Sequence, residues 1–247
     1  MKSEVTPSLT ALLETAQHVF DCHADGNWHT YKGSFASQLA SLMLEAPLLT
    51  QTLLGSGDRL TKMLVYRALE LLQVTYRRIE EGEMNRYREV RLKALKNAPE
   101  AFGTSYTEAI QRSDARWQHQ ADTSAMGADR ATFFALDGDR VIGLAALYRV
   151  ADSTRGEMIQ VWVDPAFRGG LVIVRLLDRL YQWARANRYD RIEAEVRSNN
   201  VRATHFYLRH GFEAWRGQEV IQLAIDVVPA GRLIRMMGPV DASLDTN

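Results

Sequence analysis

The stretch VDPAFRGGLVIVRLL, Val163 to Leu177, constrains this chain more than any other. It reads as a strand end, a turn carrying Gly169 and Gly170, and the start of a helix, an arrangement that leaves backbone N–H groups free to face an anion. Glu157 to Val163 forms the strand that feeds the turn, the helical pattern runs from Leu171 to Asn187, and DRIEAEV follows as a further strand. Such a unit requires a sheet with helices on its faces. Ligands bind to sheets of this kind beyond the carboxyl ends of central strands, where the chain leaves for a helix.

The rest of the chain from Gln73 fits that frame. Gln73 to Ile79 is a strand, and NRYREVRLKALKNAPEAFG is a helix stopped by Pro99 and Gly103. SYTEAIQRSDARWQH reads as one more helix. The run from Ala131 to Val150 is a hairpin turning at Asp137-Gly138-Asp139. NVRATHFYLRH is a helix, and two last strands occupy Phe212 to Trp215 and Glu219 to Val227. The expected fold class is mixed α/β, a central sheet flanked by helices.

Residues 1–71 read differently. Ser8, after Pro7, is placed to cap a helix with Leu9, Leu12, Leu13, Ala16, Val19 and Phe20 on one face. Phe35, Leu39, Leu42 and Met43 mark a second helix, ended near Pro47. Leu60, Met63, Leu64, Ala68, Leu71 and Leu72 mark a third. These faces must be buried on each other, on the rest of the chain, in a homodimer or on a protein partner. The expected division is a helical extension over 1–71, a catalytic-type domain over 72–228 and a frayed tail over 229–247.

Thirty basic residues balance thirty acidic ones, so no overall field draws the chain to nucleic acid or an anionic membrane. The N-terminus lacks the pattern of a secretory signal, and no apolar run approaches the roughly 20 residues of a bilayer span. A lone cysteine, Cys22, excludes an internal disulfide framework. A cytoplasmic setting is expected. His18, Cys22, His23 and His29 match no zinc pattern, and no metal is expected.

Two stretches resemble the GCN5-related N-acetyltransferase (GNAT) superfamily. The segment from Val161 to Val196 is similar to the family's acyl-CoA-binding unit, and NNVRATHFYLRHGF matches the pattern after it: Asn200, Ala203, Tyr207, then Gly211-Phe212. The helix over YREVRLKALKNAPEAFG is similar to the substrate-side opening of many members. The resemblance covers about residues 73–227. It implies a mixed, mostly antiparallel sheet and N-acetyl transfer from acetyl-CoA to an amine, small molecule or protein, by direct attack. In that reading the N–H groups of Arg168, Gly169, Gly170, Leu171, Val172 and Ile173 hold the pyrophosphate, and Val161, Trp162 and Val163 pair with pantetheine amides. Asn200 contacts the cofactor, and Tyr207 is the general acid beside the sulfur.

Two departures from the family pattern stand out. Leu171 and Ile173 occupy positions that are usually small, and small residues allow backbone to approach pyrophosphate closely. Either the side chains point into the core and the loop still works, or the domain is catalytically impaired and serves as a binding or regulatory module through its N-terminal helices. The strand position that often carries a general base holds Ile159. Glu157, two residues away on the same face, is the first candidate, with Glu195 and Glu193 behind it.

Overall fold

The computed structural model describes residues 5–22, 28–46, 49–55, 58–168, 171–216 and 220–227. One seven-stranded sheet organises them. Its strands are β1 (Thr75–Arg78), β2 (Arg130–Asp137), β3 (Arg140–Arg149), β4 (Arg155–Val163), β5 (Arg191–Arg197), β6 (Glu213–Arg216) and β7 (Val220–Asp226), in the spatial order β1-β2-β3-β4-β5-β7-β6. Every neighbouring pair is antiparallel except β4 and β5. Gly138 turns the β2–β3 hairpin at φ 58°, a conformation glycine adopts without a Cβ penalty.

Helices cover both faces. On one lie α5 (Met84–Asn97), α6 (Tyr106–Ile110) and α7 (Asp114–Ala125), around a core of Tyr87, Trp117, Phe134, Leu144 and Trp162. The other face carries α8 (Leu171–Ala186) and α9 (Val201–Arg209). Close packing of α8 depends on Gly143 in β3. A Cβ there would sit 3.1 Å from Leu176 Cδ1 and 3.4 Å from Val172 Cγ1, so the bare backbone lets the first turns of α8 settle onto the sheet.

The single helix read over Ser105–His119 is two. Ser105 and Glu108 form a reciprocal capping box at α6, and Ser113 Oγ accepts from the Arg116 amide to start α7. A second cap inside one hydrophobic pattern ends the first helix, which periodicity alone does not reveal.

Among the described residues the N-terminal extension holds four helices rather than three: α1 (Val5–Cys22), α2 (Trp28–Glu45), α3 (Leu49–Gly55) and α4 (Arg59–Leu72). At seven residues α3 is too short to carry a periodic signature. Ser8 is not the cap of α1. The helix begins at Val5 and takes Pro7 into its first turn, where a missing N–H is tolerated. Asp58 caps α4 by accepting from the Leu60 and Thr61 amides. The apolar faces read as possible partner surfaces are largely used internally. Ala36, Leu39 and Ala40 of α2 and Leu64, Val65 and Ala68 of α4 are buried in one core with Phe167, Leu171 and Val172. Thus α2 lies against α8 and the 3-10 turn Pro165–Phe167, and the Arg67 guanidinium stacks 4.2 Å over the Phe167 ring. The tail over 229–247 lies outside the described residues.

Asp164 fixes this junction. Its buried carboxylate accepts from Lys93 Nζ and Arg140 Nη2, each at 2.6 Å, and from the Ala166 amide at 3.1 Å, tying α5, β3 and the turn together. Burial alone would raise its pKa, but Lys93, the Ala166 amide and Arg140 together hold it below the usual carboxylate range. That stabilisation is present above the unfolded pKa and is lost as pH falls through the lowered folded value. Asp164→Asn is expected to cost about 2–3 kcal/mol in urea denaturation at neutral pH. This is below the ~3–5 of a fully buried pair because Lys93 and Arg140 reach solvent. An unchanged midpoint would refute this role.

Candidate active site

The site begins with a break in the sheet. β4 pairs with β5 from Arg155↔Arg191 to Met158↔Ala194, and there the two strands part. The cause lies on the other edge of β4. Leu144 pairs with Trp162 and Ala146 with Ile159, so Ala145 faces two residues, Gln160 and Val161. This is a β-bulge, which bends its strand away from a neighbour. Gln160 has φ 58°, a left-handed conformation costing a residue with a Cβ about 1–2 kcal/mol. Its Oε1 accepts a 2.8 Å hydrogen bond from the Tyr87 hydroxyl.

The bulge decides which backbone groups are free. Hydrogen bonds Val150 N to Arg155 O and Asp164 N to Ile142 O fix the β3–β4 ladder on either side. By alternation, Trp162 spends its backbone groups on Leu144, whereas Val161 and Val163 turn theirs to the opened edge. Trp162 therefore does not fit the pantetheine-pairing role: its backbone is committed to β3, and its ring is buried on the α5 side. Arg168, expected at the phosphate turn, folds its side chain back so that Nε donates to Val163 O at 2.9 Å.

Gly169 and Gly170 lie outside the described residues. Beyond them the first turn of α8 has amides at Leu171, Val172 and Ile173 with no acceptor within the helix. Leu171 is 5% exposed and Val172 fully buried, and Ile173 packs against the same core. Leu171 also lines a cleft of ≈ 280 Å³ with Leu44, Leu71, Leu72, Val74 and Tyr76. Its bulk thus meets the extension.

On α9, Asn200 Oδ1 accepts from the Ala203 amide at 3.2 Å, so its side-chain oxygen serves as the helix cap. Tyr207, 6% exposed, lies edge-on to Phe206 and Phe212. Burial pushes its hydroxyl pKa well above the ordinary tyrosine value, so it keeps its proton at neutral pH. Tyr181 of α8 is a neighbour the sequence did not single out. Its buried hydroxyl has no hydrogen-bond partner among the described residues, and burial, then Tyr207 and Asp178, raise its pKa.

The carboxylates lie on the opposite face. Glu157, Glu193 and Glu195 line a cleft of ≈ 220 Å³ with Val150, Ala194 and Gln222. Glu193 is paired with Arg155 at 3.1 Å and Arg191 at 3.6 Å, and Glu195 accepts from Gln222. Glu157 has no ion pair among the described residues. Burial, then Glu195 and Glu193, push its pKa up. It faces Tyr148 across the β3–β4 ladder, and the Tyr148 hydroxyl accepts from Gln120 at 3.1 Å. Of the set His18, Cys22, His23 and His29, only His18 has a described side chain, and among the described residues no group of three or more His, Cys, Asp or Glu could hold a metal. No helix among them is long and apolar enough to cross a membrane.

A sheet opened at a bulge between two parallel strands, with a helix starting at the opening, invites comparison with known proteins. Residues 93–212 match the Acetyltransferase (GNAT) family. This segment is a GNAT-family domain. The chain is similar in fold to an acetyltransferase of the GNAT family from Streptococcus pneumoniae (TM-score 0.56, 15% identity, 62% of this chain and 99% of that one). It is likewise similar to the PaiA N-acetyltransferase from Thermoplasma acidophilum in complex with coenzyme A (TM-score 0.54, 15% identity, 62% and 99%). The GNAT domain of S. lividans PAT gives TM-score 0.53 at 20% identity over 62% and 90%. No curated protein matches in sequence. At these identities the likeness is one of fold.

Leu171→Ala separates packing from obstruction. The GNAT domain is expected to lose about 2–5 kcal/mol in denaturant titration, the cost of truncating a buried leucine. A neutral effect on stability would mean that the side chain is not held by the extension.

Proposed function

We propose that the GNAT domain transfers an acetyl group from acetyl-CoA to an amine. The observation that carries this reading is the opened edge of β4, where the backbone groups of Val161 and the Val163 amide have no strand partner beyond Met158, the Val163 carbonyl being taken by Arg168. A pantetheine arm has amides that suit such an edge, and the first-turn amides of α8 suit a pyrophosphate. The fold neighbour bound to coenzyme A supports the same choice. Acetyl-CoA would supply an acyl thioester already activated toward attack by nitrogen.

The chain's own residues would then move two protons. Glu157, its pKa raised, accepts the proton that the amine gives up as the C–N bond forms, directly or through water. Tyr207, its proton retained by burial, donates to the sulfur as the C–S bond breaks. Leu171 and Ile173 are compatible with this because their side chains pack on the core while only their amides are needed.

Calorimetric titration with acetyl-CoA and a thiol-release assay across an amine panel test the reading. Glu157→Gln and Tyr207→Phe are each expected to lower kcat by about 10²-fold or more. Because the base must be ionised, wild-type kcat/KM should rise with pH through a value above the ordinary glutamate range, and Glu157→Gln should remove that limb. Absence of acetyl-CoA binding would overturn the reading in favour of a GNAT fold used as a binding or regulatory module.

A further inference from the structure

A second charged group lies on the acceptor side of the sheet, and the chemistry above makes no use of it. Arg91 occupies a core position of α5, on the stripe Tyr87, Val90, Arg91, Ala94 and Leu95. It is 5% exposed, yet its guanidinium makes no hydrogen bond or ion pair with any described residue, and Nη1 is buried without a partner. It sits 4.9 Å over the Phe102 ring. Its neighbours are Tyr87, Tyr148 and a second cation, Arg112. Burial pushes its pKa down, Tyr87 and Tyr148 act against that and Arg112 with it, and the balance is downward. Arg112 lies 5.3 Å over Trp117 and makes only long contacts, 3.4 Å to Gln120 and 3.5 Å to Thr104.

Arg112 has the Glu108 carboxylate within electrostatic reach, but no carboxylate among the described residues acts on Arg91. A buried guanidinium left without an anion and set beside a second cation is costly, because a buried charge needs a partner and like charges repel. Arginine presents a planar fork that matches a carboxylate. The half-buried groups around the pair, Thr104, Gln120 and Tyr148, are neutral donors and acceptors, and Gln160 joins them through Tyr87. Two of them lead back to the reaction centre. Gln160 is the bulge residue held by Tyr87, and Tyr148 faces Glu157 across the ladder. A cationic pole at Arg91 and Arg112 and an anionic pole at Glu157 thus lie on one face of the sheet.

We infer that Arg91 and Arg112 form a binding site for a carboxylate on the acceptor, so that the amine acetylated belongs to an amino carboxylic acid. The site takes the acid group at the arginines and directs the amino group toward Glu157 and the opening between β4 and β5. The substrate class rests on the acetyl-transfer reading; the anion site does not.

The test uses the full chain and a panel of the proteinogenic amino acids, each beside its carboxamide, with phosphoethanolamine as a phosphate-bearing arm. Binding is measured by calorimetry with and without acetyl-CoA, and turnover by thiol release. At least one amino acid is expected to bind, and to be acetylated, about 10- to 150-fold better than its carboxamide, the range of a charge-assisted hydrogen-bond pair. Arg112→Ala and Arg91→Met should each collapse that ratio toward one. Arg91→Met should also leave the unliganded protein as stable or more stable, a result that a merely structural arginine would not give. Carboxamides within threefold of their acids, no binding by any carboxylate, or a ratio unchanged in both variants would overturn the inference. Preference for phosphoethanolamine alone would overturn the choice of carboxylate. Arginine-dependent carboxylate binding without acetyl-CoA binding would uphold the anion site and sink acetyl transfer.

Discussion

The bulge at Gln160 and Val161 is the constraint on which the site depends. One extra residue opposite Ala145 turns β4 away from β5 after Met158 and leaves backbone groups of Val161 and Val163 without a strand partner. An unpaired edge inside a sheet costs free energy unless water or a ligand satisfies it. Gln160 adds strain of its own, and the Tyr87 hydrogen bond helps hold it in place. Strain maintained by a buried side chain, beside an opening, is a common mark of a functional site.

The extension has a place in the same arrangement. Its helices do not hang from the domain: α2 and α4 share a core with Phe167, Leu171 and Val172, at the start of α8. Leu171 is therefore better understood as one side of an internal interface than as an obstruction. The bulk that departs from the family pattern is matched by Leu44, Leu71 and Leu72 across the cleft. Asp164, with Lys93 and Arg140, holds the start of the Pro165–Phe167 turn from the other side.

Much of this was legible in the sequence, for identifiable reasons. Strand alternation, the Asp137-Gly138-Asp139 turn and the long amphipathic α8 are local signals, and each element formed close to where its pattern placed it. The order of motifs pointed to the GNAT family, which the match over 93–212 and the fold neighbours support independently. Capping chemistry was harder to weigh. Ser113 splits a helix that periodicity keeps whole, and α1 takes in Pro7, which the local pattern places before it. The bulge was not legible, because nothing in IQVWV distinguishes a strand that pairs on both edges from one with an extra residue. Trp162 is therefore indistinguishable in sequence from its neighbours, although its backbone faces β3. Arg91 carried an overlooked signal: a charged residue on the buried stripe of α5, four residues after Tyr87, where an apolar side chain is expected.

The most direct test of the account is amide hydrogen exchange across β4 and the start of α8, with and without acetyl-CoA. The account predicts added protection at Val161, Val163 and the Leu171–Ile173 amides, and little change at Trp162, whose N–H is already spent on β3. Binding that protects other segments and leaves Val161 and Val163 exchanging as before would contradict it, because the opened edge would then have no part in holding the cofactor.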